Sequence, residues 1–264
     1  MHYILSDIHG EGAAFERILS MINLRADDHL FILGDVIDRG PDGITLLQRI
    51  RQMENCTLLL GNHELMMVNT YLHPEEYDSL GIWRKNGCDP TMRFFRQLPE
   101  CDQKELLAYL DGLSIQMEIS IGDATYVLVH SAPQEKYDMY DYRYHSIREY
   151  CVWKREPLEP RLFPDKTVVF GHTMTKGLQF SYSKRMRIAF SDGMIGIDCG
   201  CAYPGFGGQL GCLRLEDMTE FYSDEGIVTA EEAWKWRKEN VTPFENDRKG
   251  DSYERIESGD QKTR

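Results

Sequence analysis

Five short segments hold the side chains that could do chemistry in this chain: Ser6-Asp7-Ile8-His9-Gly10, Gly34-Asp35-Val36-Ile37-Asp38-Arg39-Gly40, Gly61-Asn62-His63-Glu64, Val129-His130-Ser131-Ala132 and Gly171-His172-Thr173. Each follows directly on an apolar run. Asp7, His9, Asp35, Asn62, His130 and His172 form a mixed oxygen and nitrogen donor set, which suits Mn²⁺, Fe or Zn²⁺ better than an all-oxygen calcium cage. One shared carboxylate, with Asp35 best placed, would hold two ions about 3.5–4 Å apart, the separation of two-metal phosphoester hydrolases. Taken alone, Asp7 could cap the helix that follows and His9 could be a turn residue. Six such donors at strand ends point to a shared centre instead.

The residues beside these donors suit an anionic substrate. Asp38 and Arg39 follow Asp35 on a turn braced by Gly34, Gly40 and Pro41, where backbone and side chains can crowd around an anion. Arg39 offers a planar fork to phosphate oxygens. His63 follows Asn62 and points to a different side of the chain, available as a general acid for a leaving oxygen while Asp38 orients it and keeps it protonated. Without metals, a surface salt bridge for Arg39 and a structural role for His63 would serve equally well.

Strand and helix patterns must bring these segments together. Apolar runs at 3–5, 29–33 and 56–60 alternate with helical spacing at 13–22 and 44–50, a βαβαβ order. Asp7 and Asp35 are 28 positions apart, and Asp35 and Asn62 are 27 apart. That is the length of one right-handed strand–helix–strand unit, so successive motifs return to the same edge of a parallel sheet, where α/β ligands bind. Asp7 and His9 are expected to alternate along an extended chain and point to one side. Residues 65–113 read as a helical insertion over the site. Within it, Trp83-Arg84-Lys85-Asn86 reads as a solvated loop or as a lining of the substrate groove. The second half changes to strands at 115–121 and 125–129, a hairpin ending at His130, then 167–170 ending at His172, 186–190, 194–198, 209–215 and 219–223, with a helix over 230–239. Tyr137 to Tyr144 either shapes the rim of the site or packs as an ordinary loop. Two sheets face each other with helices outside.

With 264 residues and 42% hydrophobic content, the chain suffices for one large core or a core with an insertion, so residues 1–242 are expected to form a single catalytic domain. Residues 243–264 are polar and charged and are expected to be disordered. The formal charge of −13 argues against a protein that holds nucleic acid on a broad basic surface, though it allows a local basic pocket for one phosphate. No run of about 18 apolar residues occurs, and the start carries no basic segment before an apolar stretch, which predicts a soluble, cytoplasmic protein with no membrane partner. Seven scattered cysteines without a C-x-x-C pair predict reduced, buried thiols.

The five segments resemble the signature set of the phosphoprotein phosphatase superfamily, the calcineurin-like metallophosphoesterases: G-D-x-H-G, G-D-x-V-D-R-G, G-N-H-E, H followed by a small residue, and G-H-T. The resemblance extends from residue 3 to about residue 215 and is greatest to the small bacterial and phage serine/threonine protein phosphatases. It implies an α/β (α+β) fold, a four-layer α/β/β/α sandwich of two mixed sheets flanked by helices, with the insertion over the site. It also implies two divalent ions, Mn²⁺ foremost, one held by Asp7, His9 and Asp35 and the other by Asp35, Asn62, His130 and His172. His63 with Asp38 becomes the acid pair, and a bridging hydroxide attacks phosphorus in line without a phosphoenzyme. Trp153-Lys154-Arg155-Glu156 resembles the family's W-x-R-E segment, so Arg155 inherits the role of second phosphate-binding arginine. Ile197-Asp198-Cys199-Gly200 is similar to the I-D-T-G strand.

Ser6 stands where the strict family has glycine, and Ser131-Ala132-Pro133 follows His130 where many members have a glycine. Neither change removes a donor or an acid. The extra length around 176–196 and the last 40 or so residues match nothing in the family. As substrate, the resemblance implies a phosphoprotein or phosphopeptide. The alternative is a small phosphoester or a dinucleoside polyphosphate such as diadenosine tetraphosphate. The branch that cleaves that dinucleotide typically lacks the aspartate of D-R-G and has G-N-H-D, whereas this chain has Asp38 and Glu64. A non-catalytic scaffold would have lost donors or His63, and none is lost.

Overall fold

A computed structural model describes residues 1–75, 78–155 and 162–242; the tail expected to be disordered lies outside the described residues. β1 (His2–Leu5) leads through α1 (Gly12–Ile22) to β2 (His29–Ile32), and α2 (Gly43–Ile50) carries the chain to β3 (Cys56–Leu58). The three strands pair in parallel, Leu5 opposite Ile32 and Ile32 opposite Leu58. The segments that follow them therefore emerge at one edge. Both faces of β1 and β2 are buried: Tyr3 and Leu5 point into one core and Ile4 into another, as do Leu30 and Ile32 against Phe31. This explains why the strands read as unbroken apolar runs rather than alternating ones.

β3 ends two residues before the predicted boundary, and Asn62 opens a helix, α3 (Asn62–Leu72). The insertion is helical as patterned, continuing with α4 (Ser79–Lys85), α5 (Asp89–Phe95) and α6 (Glu100–Asp111). Its Trp83 is not part of a solvated loop. The Asp78 carboxylate caps α4 by accepting from the Gly81 N–H at 3.2 Å, and Trp83, 0% exposed, packs edge-on against Tyr71.

β4 (Gln116–Ile121) and β5 (Ala124–Val129) form the expected hairpin. After α7 (Ile147–Trp153), β6 (Lys166–Phe170) lies parallel to β5. Next come α8 (Thr175–Leu178), β7 (Phe180–Ser181), β8 (Ala189–Ser191) and β9 (Met194–Gly196), completing a mixed sheet in the order β4-β5-β6-β9-β8. β10 (Gly211–Arg214), β11 (Thr219–Tyr222) and β12 (Gly226–Val228) then return to the first sheet, giving β12-β11-β10-β1-β2-β3 with β10 antiparallel to β1. α9 (Ala230–Asn240) leads to β13 (Val241–Thr242), which pairs with β7. β7, β12 and β13 escape a sequence reading because two or three residues carry no usable period.

The sheets face each other across Ile4, Phe31, Leu33, Leu213 and Tyr222 from one side and Tyr126, Leu128, Val169 and Ile195 from the other. Phe15, Ile18 and Leu47 of α1 and α2 cover the outer face of the first sheet. Leu178 of α8, with Leu162 and Phe163, covers the second. The result is two mixed sheets between helical layers. Each fully buried Leu, Ile or Phe contributes about 1.5–3 kcal/mol, so three packed interfaces fix the edge from which the motif loops extend.

Candidate active site

Asp7 and His9 do not lie on extended chain as expected; both are left-handed, with φ 54° and 49°. Asp35, Asp38, Arg39 and His172 share that conformation, so six of the eight non-glycine residues with positive φ, among the described residues, are predicted site residues. Each such turn costs about 1 kcal/mol or more and persists only where its surroundings over-determine it. Here the loops bind one another: His9 N–H donates to the Asp35 carbonyl at 2.9 Å and Gly10 N–H to Val36 at 2.7 Å. The Glu64 carboxylate, fully buried, accepts the N–H groups of Asp35 (2.8 Å), Val36 (2.9 Å), Ile37 (3.3 Å) and Gly61 (3.2 Å). Glu64 thus shapes the loop that carries Asp35, a role that its position in G-N-H-E does not announce. The approach is close enough that a Cβ on Gly34, at φ 90°, would lie 2.6 Å from Gly61 Cα, and one on Gly61 would collide with the Asp35 carboxylate.

Asp35 Oδ2 lies at the focus. His130 Nε2 is 3.5 Å away, His9 Nε2 3.8 Å and His63 Nε2 3.9 Å. Asp7 Oδ1 is also 3.8 Å from His9 Nε2, and the other Asp7 oxygen accepts from the His172 N–H at 3.0 Å. The donor atoms fall into two compact groups that share Asp35, one with His9 and His63 and the other with His130 and His172. All six predicted donors are therefore brought together, with His63 closer to the first group than its sequence role suggested.

Backbone carbonyls aim the imidazoles. Ile37 O sits 3.1 Å from His9 Nδ1 and Leu33 O 2.6 Å from His130 Nδ1, which puts the ring protons there and turns each Nε2 lone pair inward. His130 Nε2 then faces the Asn62 amide oxygen at 2.9 Å, two acceptors that a cation between them would reconcile. His172 Nε2 is buried with no hydrogen-bond partner among the described residues. Burial, then neighbouring charges, pushes His9, His63 and His172 well below the ordinary histidine range, so they stay neutral and able to ligate. Burial first, and crowding by Asp198 and Asp35, raises Asp7; burial and Glu64 raise Asp35. A buried knot of carboxylates beside neutral imidazoles with inward lone pairs is short of positive charge, and two divalent ions fit it.

The predicted acid pair is assembled. His63 Nδ1 lies 2.6 Å from Asp38 Oδ2, which also accepts Trp83 Nε1–H at 2.6 Å, while Asp38 N–H donates to Thr91 Oγ1 at 2.9 Å. Burial pushes Asp38 up to about 7 against these hydrogen bonds and pushes His63 down, so one proton is held between the two at neutral pH. Trp83 and Thr91 are helical-insertion residues whose contribution the sequence did not reveal. A Trp83→Phe variant keeps the ring and loses one bond to a charged acceptor, worth about 1.5–3 kcal/mol. We expect kcat to fall about tenfold with KM little changed in steady-state assays; an unchanged kcat would remove Trp83 from the machinery.

Arg39 donates to His9 Nε2 at 2.8 Å and His63 Nε2 at 3.3 Å, and its guanidinium stacks 5.2 Å from the Tyr203 ring. It thus sits as a cation on the same lone pairs. Arg155, exposed, donates to the His172 carbonyl at 3.1 Å. Asp198, buried near Asp7 and accepting from Gly200 N–H at 2.8 Å, joins the acidic knot unforeseen. Tyr140 and Tyr142 of the aromatic run are 86% and 91% exposed, so neither packs over the core.

A family model, calcineurin-like phosphoesterase, matches residues 3–188. The chain is a calcineurin-like phosphoesterase. Among curated relatives, this phosphoesterase is 25% identical over 273 residues to a symmetrical bis(5'-nucleosyl)-tetraphosphatase of Erwinia tasmaniensis, aligning 83% of its own length with 95% of that protein. It is 23% identical over 206 residues to the enzyme of the same name from Vibrio parahaemolyticus, 75% against 71%. The crystal structure of a "putative diadenosine tetraphosphatase" superposes with a TM-score of 0.56 at 18% identity, covering 84% of this chain and 91% of that one, a likeness of fold. The resemblance to small protein phosphatases therefore holds at the level of the superfamily, while these relatives carry the name of the nucleotide-cleaving branch.

Proposed function

We propose that this phosphoesterase cleaves dinucleoside polyphosphates, and small phosphoesters of that kind, with two divalent ions. The observation that carries hydrolysis is the convergence of three imidazole nitrogens within 3.5–3.9 Å of Asp35 Oδ2. The substrate class is supported by the near full-length tetraphosphatase relative. Asp7, His9 and Asp35 would hold one ion and Asp35, Asn62, His130 and His172 the other, with Mn²⁺ first among candidates and Fe or Zn²⁺ next. When bound, such ions neutralise phosphate oxygens and supply ionised water at neutral pH. Arg39 and Arg155 would then bind the non-reacting oxygens, and His63, once it takes a second proton at Nε2 as Arg39 turns to the phosphate, would give that proton to the leaving oxygen of an in-line displacement while Asp38 fixes the ring through Nδ1. Residues 1–242 act as one catalytic unit. Seven free thiols, five of them buried, suit a reducing compartment such as the cytoplasm. Among the described residues no helix is long and apolar enough to cross a membrane.

A second reading, a serine/threonine phosphoprotein phosphatase, is favoured by the Asp38–His63 pair and by Glu64, which the nucleotide branch typically lacks. A hydrolysis panel separates the two: metal-stripped protein with and without Mn²⁺ is given diadenosine tetraphosphate, phosphoserine, phosphothreonine and phosphotyrosine peptides, and p-nitrophenyl phosphate. We expect Mn²⁺ to restore turnover and the dinucleotide to be cleaved fastest. Faster cleavage of the phosphopeptides would establish the second reading, and no turnover with any ion would leave a binding scaffold.

A further inference from the structure

A cavity of about 150 Å³ lies between α8, β7 and residues 183–186, and no role above uses it. Its lining includes Lys176, Lys184, Arg185, Ser181, Ser183 and Gln179, and no carboxylate. In a chain of formal charge −13, three cations around one small cavity stand out. Arg185 is shared with Asp224, whose Oδ2 lies 2.9 Å from its Nη1 and whose other oxygen takes Arg17 at 3.3 Å. Lys176 and Lys184 form no ion pair among the described residues, so their charge is available to a ligand.

The polar groups complement that charge. Ser183 N–H donates to Ser181 Oγ and Arg185 N–H to Ser183 Oγ, both at 3.1 Å, so each hydroxyl proton is left to donate elsewhere. Gln179 is anchored by its amide nitrogen to the Arg187 carbonyl at 3.4 Å. Cations and hydroxyl donors together are the chemistry that recognises a phosphate-type oxyanion. The volume is well under the roughly 300 Å³ where pockets begin to hold a nucleoside-sized ligand. The cavity also abuts the walls of the metal site. Thr175 N–H donates to the Asp198 carbonyl at 2.9 Å, and Met186 N–H to the carbonyl of Gly207, in the loop whose Tyr203 stacks on Arg39.

We propose that this cavity is a second oxyanion subsite, taking a phosphate group other than the one being cleaved. That phosphate belongs either to the same polyphosphate substrate or to free inorganic phosphate; the first source rests on the dinucleoside polyphosphate reading and the second does not. The test uses the full-length, metal-loaded protein and the double variant Lys176→Gln/Lys184→Gln, which changes two exposed side chains outside the catalytic machinery. In one arm, Zn²⁺-loaded ¹⁵N-labelled protein is titrated with inorganic phosphate, and saturable shifts are expected at the amides of residues 175–186 that vanish in the double variant. In the other, with Mn²⁺, KM for diadenosine tetraphosphate should rise about tenfold in the variant while KM for p-nitrophenyl phosphate changes less than about twofold.

A selective KM rise, with or without the shifts, identifies the substrate as the source; shifts with both KM values unchanged identify free phosphate. Phosphate shifts confined to the metal site, together with equal or absent KM changes, overturn the proposal. If the dinucleotide is not cleaved at all, the proposed function has failed, and the titration alone still decides whether the cavity binds an oxyanion.

Discussion

Asn in place of Asp35 is expected to abolish turnover on every phosphoester, by a factor of at least about 10³. The substitution keeps the volume and leaves an oxygen to accept the His63 N–H, 3.0 Å from Oδ1 in the structure, so the loop should hold its shape. It removes the one negative charge that faces His9, His63 and His130 at once. The same change should show in stability. Saturating an ion about a hundredfold above its Kd stabilises the fold by roughly 2.7 kcal/mol, a rise of roughly 5–10 °C for a chain of this size. Scanning calorimetry of metal-stripped protein with added Mn²⁺ should show that rise in the parent and little of it in Asp35→Asn. Because burial and the neighbouring Glu64 oppose charge on Asp35, the metal-free variant should melt no lower than the metal-free parent. Retained turnover, or an undiminished Mn²⁺ response, would remove Asp35 from the centre.

His63→Asn is expected to cost about 10²–10⁴-fold when the leaving group needs a proton, as with an alkyl phosphate. It should cost far less with p-nitrophenyl phosphate, whose nitrophenolate departs as an anion. The contrast separates two roles that the geometry allows. His63 Nε2 lies 3.9 Å from Asp35 Oδ2 and groups with His9, as a donor would; its Nδ1 is bound to Asp38 at 2.6 Å, as a general acid would be. Equal losses on both substrates would show that it acts through the metal centre instead. Asp38→Asn should reproduce the leaving-group dependence in weaker form, because it leaves His63 without the partner that holds its tautomer.

The positions of the donors were legible because each follows a buried parallel strand, and the spacing of about 28 residues between Asp7, Asp35 and Asn62 is set by one strand–helix–strand unit. The burial of those strands on both faces also made them readable as apolar runs. What could not be read was the path of the chain past the strand ends. Asp7 and His9 were expected on extended chain, yet they turn left-handed because the 34–40 loop hydrogen-bonds them there. Trp83 was hidden among charged neighbours, since its partner Asp38 is 45 positions away and no local period reports such a contact.

The amino-acid sequence by itself therefore determined the donor types, the sheet edge where they meet and the superfamily, since these depend on residue chemistry and on hydrophobic patterns that act over a few residues. Only the tertiary structure decided that His63 joins His9 and His130 around Asp35, that Glu64 and Trp83 hold the loop and the acid pair, and that Lys176 and Lys184 face one cavity. Those facts are contacts between segments far apart in the chain, and their geometry follows from how two sheets and an insertion pack, which no short stretch of residues encodes.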